Sequence, residues 1–534
     1  MSEALATSQD EAREIAGWLR AVLPKGAALV ADSRAVTPGD AFFAYPGEQA
    51  DGRRFVDQAI ARGAAAIVAE PGEVGAIFAE RDGSNAVPRR DVAGLKRACG
   101  PIADVYHGHP TAGLEVVAVT GTNGKTSCSH WIAQGLQGLG RPCSVIGTLG
   151  AGRAATLEHT GLTTPDALGM QALFARFARE GDQAVAIEAS SIGLHQHRLD
   201  GTRIAVAVYT NLTRDHLDYH GSMQAYADAK AMLFGWPDLR AAIVNLDDPW
   251  HTEMLAAVAP GVMRIGYRIG SATDDPASDG SSGGLSDAVS DAASSKVDRM
   301  LIARAIEPDL AGMRIELDGH WGCRSIVTPL LGRFNVANLL AVIATWLALE
   351  VSFEAAIAQA LALQPVPGRL QPVTGSDGRL PLAVVDYAHT PDALANALAA
   401  LRPVAQRRGG LLWCVFGAGG DRDPGKRPLM AAVVEGLADR VVLTSDNPRS
   451  ESPESILDAV QAGLNRAPAL REGDRAAAIR RVIAQADASD VVLIAGKGHE
   501  SYQEIAGVRH PFDDVEQAAL ALSRRSNIGG ARGV

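Results

Sequence analysis

The chain has 534 residues, and this length predicts three or four domains, because single domains usually contain about 100–200 residues. Hydrophobic residues make up 47% and charged residues 21%, which is ordinary for a folded globular protein and argues against general disorder. The net charge of −11 argues against nucleic acid as a partner, since that would need a concentrated basic surface. Anionic small molecules stay possible, because a local basic cluster can bind them.

The cysteines and the apolar segments bear on the cellular location. The five cysteines are odd in number and show no C-x-x-C spacing, so neither structural zinc nor a disulfide framework is expected. Residues 1–10 carry acids and no apolar core, unlike a signal peptide. The longest apolar run, residues 339–349, is too short to cross a bilayer and predicts a buried helix. We therefore expect a cytoplasmic protein without membrane insertion.

Strand-like and helix-like segments alternate along the first two thirds of the chain. Residues 27–30, 41–44 and 65–68 are predicted strands, with a helix at 56–62. Apolar runs at 116–119, 184–187 and 205–209 then end in polar loops and are separated by helical stretches. This order predicts α/β structure with a mostly parallel sheet.

The last third begins at a Pro/Gly hinge signal in residues 365–369. Strands are predicted at 382–385, 411–416, 440–444 and 491–495, each followed by a loop and a helix. Ligands collect at the carboxyl ends of such strands, so function is expected in those loops. We predict domains at 1–113, 114–364 and 365–534, with residues 270–296, rich in Ser, Asp, Gly and Ala, as a disordered or mobile insertion.

The loop Gly121-Thr122-Asn123-Gly124-Lys125-Thr126 follows a predicted strand and opens a predicted helix. In that context its backbone N–H groups and the positive helix end can bind phosphates, with Lys125 neutralising their oxygens and the Thr126 hydroxyl facing Mg²⁺. The common phosphate-loop pattern would place glycine at position 119, where this chain has Val119. The alternative is a glycine turn with a surface lysine.

This variant loop resembles the Mur ligase family, which also includes folylpolyglutamate synthetases. Further motifs along nearly the whole chain resemble the branch that adds the third residue of the peptidoglycan peptide. They are Asp32-Ser33-Arg34, Thr163-Thr164-Pro165, Glu188-Ala189-Ser190-Ser191, Gln196-His197-Arg198, Asn211-Leu212-Thr213-Arg214-Asp215-His216, Asp386-Tyr387-Ala388-His389 and Asp446-Asn447-Pro448-Arg449.

The resemblance implies three domains: an N-terminal α/β domain for a UDP sugar, a central P-loop ATPase domain and a C-terminal Rossmann-like domain for an amino acid. It implies a ligase that uses ATP, through an acyl phosphate, to join meso-diaminopimelate to the D-glutamate side chain of UDP-MurNAc-L-Ala-D-Glu in peptidoglycan precursor synthesis. We expect a monomer.

The resemblance also implies roles for individual residues. ATP would be bound by Gly121, Thr122, Asn123, Gly124, Lys125, Thr126, Ser127, Asn335, Asn338, Arg369, Asp386 and His389. The UDP-MurNAc-dipeptide would be bound by Ser33, Thr163, Thr164, Ser190, Gln196 and Arg198. Diaminopimelate would be bound by Arg422, Asp446, Asn447, Pro448, Arg449, Gly496 and Glu500.

A magnesium site is implied at Thr126, Glu188, His216 and Lys230, with a CO₂-derived carbamate on Lys230. Together with Lys125, the last three are the implied catalytic residues. From the sequence alone Lys230 would be a solvated helix lysine. His195, His197, His216 and His220 raise the alternative of zinc, but no thiolate or H-E-x-x-H helix accompanies them.

Two features depart from familiar patterns. Gly417-Ala418-Gly419-Gly420-Asp421-Arg422 resembles a dinucleotide fingerprint, but Arg422 replaces its last glycine, so we interpret it as a substrate loop. Ile192 stands where family members commonly have histidine. The alternatives are the same ligase using L-lysine, a folylpolyglutamate synthetase and a nucleotide-binding relative without catalysis. Ser33 and Arg449, in their motifs, argue against the L-lysine ligase and the folylpolyglutamate synthetase. The implied catalytic residues argue against a relative without catalysis.

Overall fold

The computed structural model describes residues 2–48, 50–72, 87–154, 156–270, 296–309, 312–373 and 380–530. The chain divides into two compact units. The first comprises Met1–Tyr267, Ser282–Met300 and Ala341–Gln359, and the second comprises Arg268–Ser281, Leu301–Leu340 and Ala360–Val534. Of the predicted insertion at 270–296, all but Gly270 and Lys296 lies outside the described residues.

The first unit begins with a small parallel sheet. Its strands, in spatial order, are Leu29–Val30, Ala41–Ala44, Ala66–Ala69 and Arg89–Asp91. Its helices are Ser2–Val22, Val56–Ala61 and Leu95–His107. Phe42 and Phe43 are fully buried in two different clusters, because successive side chains of a strand point to opposite faces. The predicted α/β structure is confirmed, with element ends shifted by one or two residues.

A larger, mostly parallel sheet follows in the same unit. The strands of this sheet that belong to the first unit, wholly or in part, are in spatial order Met263–Ile269, Ala241–Asn245, Val206–Tyr209, Glu115–Thr120, Ala184–Glu188, Cys143–Gly147 and Gly150–Gly152. All neighbours pair in parallel except the last two strands. Val117, Ile187 and Val208 have no exposed surface, as expected for a sheet covered on both faces. The loops after residues 120, 188 and 209 therefore leave the sheet at one edge.

Helices cover this sheet, and side-chain caps fix where several of them begin. Asp166, Ser190 and Ser222 each accept a hydrogen bond from the backbone N–H three residues ahead. The helices are Lys125–Gly138, Ala167–Arg179, Ser191–His195, Leu217–His220, Met223–Ala231 and His251–Ala257.

The second unit contains an antiparallel meander and a six-stranded sheet. The meander strands are Arg299–Asp309, Gly312–Gly319 and Arg324–Thr328. The sheet strands, in spatial order, are Gln371–Val373, Leu382–Asp386, Val491–Ala495, Leu412–Phe416, Arg440–Leu443 and Leu470–Arg471, all parallel except the first. A hairpin joins Tyr502–Ile505 to Val508–Pro511. The helices are Pro391–Arg408, Lys426–Leu437, Pro453–Gln461, Arg475–Gln485 and Asp514–Gly530.

The apolar run at 339–349 falls on the helix Arg333–Ala348, which precedes the helix Phe353–Ala362. Trp346 is fully buried and its indole N–H donates to the Ile132 carbonyl at 3.2 Å, so this run is a buried helix as predicted. Across the described part of the chain, we find no helix with the length and hydropathy that a membrane span requires.

Candidate active site

The loop after strand Glu115–Thr120 has a backbone that depends on glycine. Gly121 has φ +147° and Gly124 has φ +89°, conformations that residues with a side chain rarely adopt. A Cβ atom at Gly121 would also overlap the Thr210 hydroxyl. Helix Lys125–Gly138 begins directly after Gly124, so the loop lies at the positive end of a helix. This is the geometry expected of a phosphate-binding loop.

The neighbouring strand end holds this loop in place. The backbone N–H groups of Thr122 and Asn123 donate to the carbonyl and side-chain oxygens of Asn211, at 2.8 and 3.0 Å. The Thr210 hydroxyl donates to the Asn123 carbonyl at 2.6 Å. Asn211 belongs to a motif quoted from the sequence, whereas the role of Thr210 became visible only in the fold.

Lys125 lies at the start of the helix and folds back over the loop. Its Nζ donates to the carbonyls of Gly121 and Thr122, at 2.8 and 2.9 Å. Thr126 and Ser127, the next two residues of the predicted ATP site, are buried. The ammonium group therefore already lies against the loop that would surround a phosphate.

Glu188 ends its strand and is held from the next strand of the sheet. Its side chain is buried, and Oε1 accepts from the Thr148 backbone N–H at 2.9 Å while Oε2 accepts from the Thr148 hydroxyl at 3.0 Å. Gly147 leaves room for this carboxylate, since a Cβ there would overlap Oε1. The Thr148 hydroxyl also lies 3.2 Å from the Thr163 hydroxyl. The part that Thr148 plays in holding Glu188 is not predictable from the sequence motifs.

His216 and Lys230 lie close enough to Lys125 for their charges to interact. Partial burial lowers the pKa of His216, Asp215 opposes this shift, and Lys125 and Lys230 add to it. Burial also lowers the pKa of Lys230 well below its ordinary value, and the positive charge of Lys125 lowers it further. Lys230 is therefore a buried amine that loses its proton more readily than an ordinary lysine. It is not the solvated helix lysine that the sequence alone, without the family resemblance, would predict.

Tyr226 lies at the centre of this group. Its ring packs 4.4 Å from the Lys230 Nζ and stacks on His220 at 5.1 Å, while its hydroxyl lies 3.2 Å from the Thr122 hydroxyl. Burial also lowers the pKa of His220 to about 4, so this ring is neutral at physiological pH. The aromatic ring thus connects the phosphate loop with the helix that carries Lys230.

The donors of the implied magnesium site fit a hard cation. Thr126 and Glu188 offer oxygen atoms, which Mg²⁺ prefers, and the lowered pKa of Lys230 favours the neutral amine that carbamate formation requires. Within the described ranges, no three His, Cys, Asp or Glu side chains are grouped so as to hold a metal.

Four of the predicted dipeptide residues, Thr164, Ser190, Gln196 and Arg198, form one hydrogen-bonded cluster. The Thr164 hydroxyl donates to the Glu188 carbonyl at 2.7 Å and lies 2.9 Å from the Ser190 hydroxyl. Arg198 donates to the Thr164 carbonyl at 2.8 Å and to the Gln196 side chain at 3.1 Å. This partly buried arginine is fixed by neighbours, so the surface ion pair that an isolated arginine would suggest is not what the structure shows. Ser33 lies apart from this cluster, in the turn after strand Leu29–Val30, where it donates to Gln58 at 2.8 Å.

The second unit carries the remaining predicted ATP residues. Asn335 donates to the Leu331 carbonyl at 2.8 Å, and Asn338 lies 3.4 Å from the Asn335 side-chain oxygen. Asp386 accepts from the backbone N–H groups of Leu370 and Ala388 at 2.7 and 2.8 Å, and burial raises its pKa.

Aromatic contacts fix the other two residues of this group. The Arg369 guanidinium lies 4.6 Å from the ring centre of Tyr387, and His389 packs against the same ring at 4.8 Å. Arg369, Asp386 and His389 therefore form one local cluster around Tyr387.

The predicted diaminopimelate residues gather at neighbouring strand ends in the second unit. Arg449 has φ +53° and donates from Nη1 to the Gly420 carbonyl at 2.7 Å. A Cβ at Gly419 would lie 2.9 Å from this Nη1 and 3.8 Å from Arg422 Cγ, so both arginines border the same loop. Pro448 packs there as well, since a Cβ at Gly420 would overlap its carbonyl.

The acidic side of this pocket is buried. Asp446 and Asn447 have little exposed surface, and a Cβ at Gly496 would overlap Asp446 Oδ2. Asn447 donates to Glu500 Oε2 at 2.7 Å. The site thus combines guanidinium groups with carboxylates, the charges that an amino acid with an extra carboxylate requires.

Two buried groups in this region were not predicted. Lys497 contacts both Asn447 and Glu500 at 3.0 Å, and Arg475 pairs with Asp514 at 2.7 Å with both side chains fully buried. The only indication in the sequence that Lys497 belongs to this site is its position between the predicted site residues Gly496 and Glu500. Arg475 had no such signal, because its partner lies far along the chain.

Comparison with known proteins identifies the family of this chain. Three family models match: the Mur ligase family catalytic domain at residues 27–107, the Mur ligase middle domain at 119–346 and the Mur ligase glutamate ligase domain at 368–498. They cover, in order, the small sheet, the phosphate loop with Glu188 and Lys230, and the arginine-bordered pocket.

Curated relatives match over nearly the whole chain. Two are named UDP-N-acetylmuramoyl-L-alanyl-D-glutamate–2,6-diaminopimelate ligase. The protein of Acidovorax sp. is 47% identical over 97% of this chain and 98% of its own length, and that of Ralstonia nicotianae is 46% identical over 95% of each. A solved structure of a ligase with the same name is 36% identical, with a TM-score of 0.61, and covers 93% of this chain and 94% of its own. The chain therefore belongs to the Mur ligase family.

Proposed function

We propose that the protein joins meso-diaminopimelate to the D-glutamate side-chain carboxylate of UDP-MurNAc-L-Ala-D-Glu, with ATP supplying the energy. The observation that carries this proposal is the pocket around Arg449, where neighbouring loops bring together the arginines Arg449 and Arg422 and the acids Asp446 and Glu500. The names of the full-length relatives support the same substrates. L-Lysine lacks the second carboxylate that would satisfy these guanidinium groups.

The chemistry has two steps. A carboxylate is a poor acyl donor, so its oxygen first attacks the γ-phosphorus of ATP, the bond to ADP breaks and an acyl phosphate forms. The diaminopimelate amine then attacks the acyl carbon, loses a proton, and inorganic phosphate leaves with the electrons of the broken C–O bond. The products are an amide, ADP and phosphate.

The phosphate loop supports the first step. Backbone N–H groups at the start of helix Lys125–Gly138 bind phosphate oxygens, and Lys125 exchanges its loop carbonyl partners for them. These donors are fixed before ATP arrives, because Asn211 and Thr210 hold the loop. The charge of the transferred group is therefore neutralised without rearrangement of the loop.

The dipeptide cluster presents the carboxylate. Thr164, Ser190 and Arg198 are tied to each other and to the Glu188 backbone, so a substrate bound by them lies beside the metal-binding side chains. Gln196 fixes the Arg198 guanidinium, which can then donate two parallel hydrogen bonds to a carboxylate or diphosphate.

The magnesium ligands we propose are Thr126, Glu188, His216 and carbamylated Lys230. A bound Mg²⁺ would neutralise the phosphate oxygens of ATP during transfer. The amine of Lys230 must be unprotonated to react with CO₂, and its burial supplies that condition. In the second unit, Asn335, Asn338, Arg369, Asp386 and His389 are proposed to contact ATP.

Isotope transfer tests the proposed chemistry. We would prepare UDP-MurNAc-L-Ala-D-Glu with oxygen-18 in the D-glutamate side-chain carboxylate and analyse the phosphate released with meso-diaminopimelate. One labelled oxygen should appear in phosphate for each amide formed, because the carboxylate oxygen leaves with it. Unlabelled phosphate from a fully labelled substrate would exclude the acyl phosphate.

Two further features belong to the proposal. Because ATP and UDP-linked precursors are cytoplasmic, we place the reaction in the cytoplasm. We also propose that one chain carries all three substrate sites and acts as a monomer, which size-exclusion chromatography with light scattering at assay concentration would test.

A further inference from the structure

Lys497 is a buried lysine to which the proposed reaction gives no role. Its side chain has no exposed surface in the loop after strand Val491–Ala495. An ammonium group taken out of water is costly unless charged and polar partners replace the lost hydration. The partners of Lys497 therefore indicate why a lysine stands at this position.

Lys497 closes a triangle of side chains inside the amino-acid pocket. Its Nζ donates to Asn447 Oδ1 and to Glu500 Oε2, each at 3.0 Å, and Asn447 Nδ2 donates to the same Glu500 oxygen at 2.7 Å. Asn447 Oδ1 also accepts from the Glu504 backbone N–H at 2.9 Å. The Asn447 side-chain oxygen thus accepts two hydrogen bonds, and its nitrogen donates one to Glu500. These partners determine which way the amide group is oriented.

The triangle fixes one oxygen of Glu500 and leaves the other for a ligand. Both side-chain bonds that the described residues make to this carboxylate end on Oε2. The Tyr502 ring lies 5.5 Å from the Lys497 Nζ and packs along the ammonium group. Rotation of Glu500 would break both bonds at once, so its orientation is held by Lys497 and Asn447 together.

The surrounding charges favour a cationic ligand group. Arg475 interacts with the charges of Asp446, Glu500 and Asp514, and Asp514 interacts with those of Asp446 and Lys497. These five groups comprise two cations and three anions. These five groups thus keep one excess negative charge near Glu500, which the ammonium group of an amino acid would balance, while the guanidinium groups of Arg422 and Arg449 border the Gly419 loop.

We propose that Lys497 is a positioning residue for the amino-acid substrate: it holds Glu500 and Asn447 so that the free oxygen of Glu500, with Asp446, receives the substrate amine. This inference rests on the proposed function. Lys497 itself does not touch the reacting atoms. Its loss should weaken binding of the amino acid and leave the ATP and UDP-precursor sites unchanged.

The test compares Lys497→Met, Glu500→Gln and the double variant in the full-length enzyme. Lys497→Met should raise KM for meso-diaminopimelate by about tenfold or more, since a hydrogen bond to a charged group contributes about 1.5–3 kcal/mol. KM for ATP and for UDP-MurNAc-L-Ala-D-Glu should change by less than about twofold. If Lys497 acts through Glu500, the double variant should be no worse than Glu500→Gln alone.

Controls separate positioning from general damage. Arg402→Met removes an ion pair with Asp439 in the same unit and should leave KM for meso-diaminopimelate unchanged. If Lys497→Met does not fold, Lys497→Gln replaces it: this variant keeps a hydrogen-bond donor but loses the charge, so it should raise KM for meso-diaminopimelate by a smaller factor and leave the other two KM values unchanged. An unchanged KM for meso-diaminopimelate, equal losses for all three substrates or additive losses in the double variant would overturn the inference. A wild-type enzyme that does not turn over meso-diaminopimelate would instead overturn the proposed function and, with it, this role.

Discussion

Lys230 shows how burial decides the chemistry of a single side chain. Its amine is buried beside Lys125, and both effects lower its pKa. We expect Lys230→Ala to reduce kcat by at least about a hundredfold, because ligand loss should exceed the 10–100-fold effects of outer-shell partners. Added short carboxylates should restore part of the activity by replacing the carbamate anion, which steady-state ADP release would measure.

Lys125→Ala is the matched control for this rescue. It removes a cation from the same site, so added carboxylates should not restore its activity. A fully active Lys230→Ala enzyme would disprove the carbamate.

Arg449 is expected to determine the choice of amino acid. Its guanidinium lies beside Arg422 and is oriented by the Gly420 carbonyl. Removing one partner of a buried charge pair costs about 3–5 kcal/mol, so Arg449→Ala should lower kcat/KM for meso-diaminopimelate by at least about a hundredfold. KM for ATP should barely change. Competition between meso-diaminopimelate and L-lysine would measure the loss of preference.

Arg481→Ala provides the control, since this arginine pairs with Glu472 on the surface of the same unit. Its preference should equal that of the wild type. If Arg449→Ala also retains the wild-type preference, the carboxylate is recognised elsewhere.

Asp200 should make the folded protein less stable as pH rises. Burial raises its pKa from 3.8 to about 6. His197 Nδ1 lies 3.1 Å from this carboxylate, but Arg97 donates to the other ring nitrogen and burial lowers the His197 pKa, so a neutral ring faces Asp200. A raised carboxyl pKa means that stability is lost between pH 3.8 and about 6 and stays reduced above that range.

Asp200→Asn should therefore raise the free energy of unfolding by about 1–3 kcal/mol at pH 7.5, and by less at pH 4.5. Urea unfolding at both pH values would measure the difference. Exposed Asp238→Asn should give no such gain. An equal effect of Asp200→Asn at both pH values would contradict the assignment.

Some site residues could be predicted from the sequence and others could not. Glu188, His216 and Lys230 stand in ordered motifs that resemble a known family, and burial and charge interactions agree with their proposed roles. The roles of Thr148 and Lys497 could not be predicted from the sequence, because they depend on partners that only folding brings close. Thr148 is 40 residues from the carboxylate that it holds.

At the scale of elements, the phosphate loop depends on the shape of one strand end. Gly121→Ala would place a methyl group against the Thr210 hydroxyl at a backbone φ of +147°, so the loop must distort. We expect KM for ATP to rise at least about tenfold, because loop donors would leave their phosphate positions. Gly113→Ala, where nothing lies within 4 Å of the added carbon, should leave it unchanged. Unaltered ATP use by Gly121→Ala would show that the loop does not bind the phosphates.

The buried parallel strands were predictable, whereas the antiparallel ones were not. Continuous apolar runs such as residues 116–119 are buried on both faces and therefore stand out in the sequence. The meander in residues 299–328 is half exposed, and its signal was only the alternation of Met313, Ile315 and Leu317 with polar residues. The hairpin at residues 502–511 has still less apolar content, because its second strand is exposed.

At the scale of the whole molecule, the order of three family domains was confirmed by the family models. The predicted boundaries after residues 113 and 364 remain predictions, because the first compact unit contains two sheets. Gly100 and Gly201 explain why these sheets share a unit: a Cβ at either glycine would overlap the backbone of the other segment. Sequence composition marks linkers, but it does not reveal so close an approach.

The most direct test of the account is ADP release by the wild-type enzyme with ATP, UDP-MurNAc-L-Ala-D-Glu and a panel of amino acids. The panel contains meso-diaminopimelate, L-lysine and L-glutamate, and parallel reactions replace the UDP precursor with a folate or omit one substrate. We predict rapid ADP release only with the UDP precursor and meso-diaminopimelate together, at a kcat/KM at least about a hundredfold above that for L-lysine. Three results would contradict the account: equal use of L-lysine and meso-diaminopimelate, turnover with the folate and L-glutamate, or ADP release in the absence of both the UDP precursor and the amino acid.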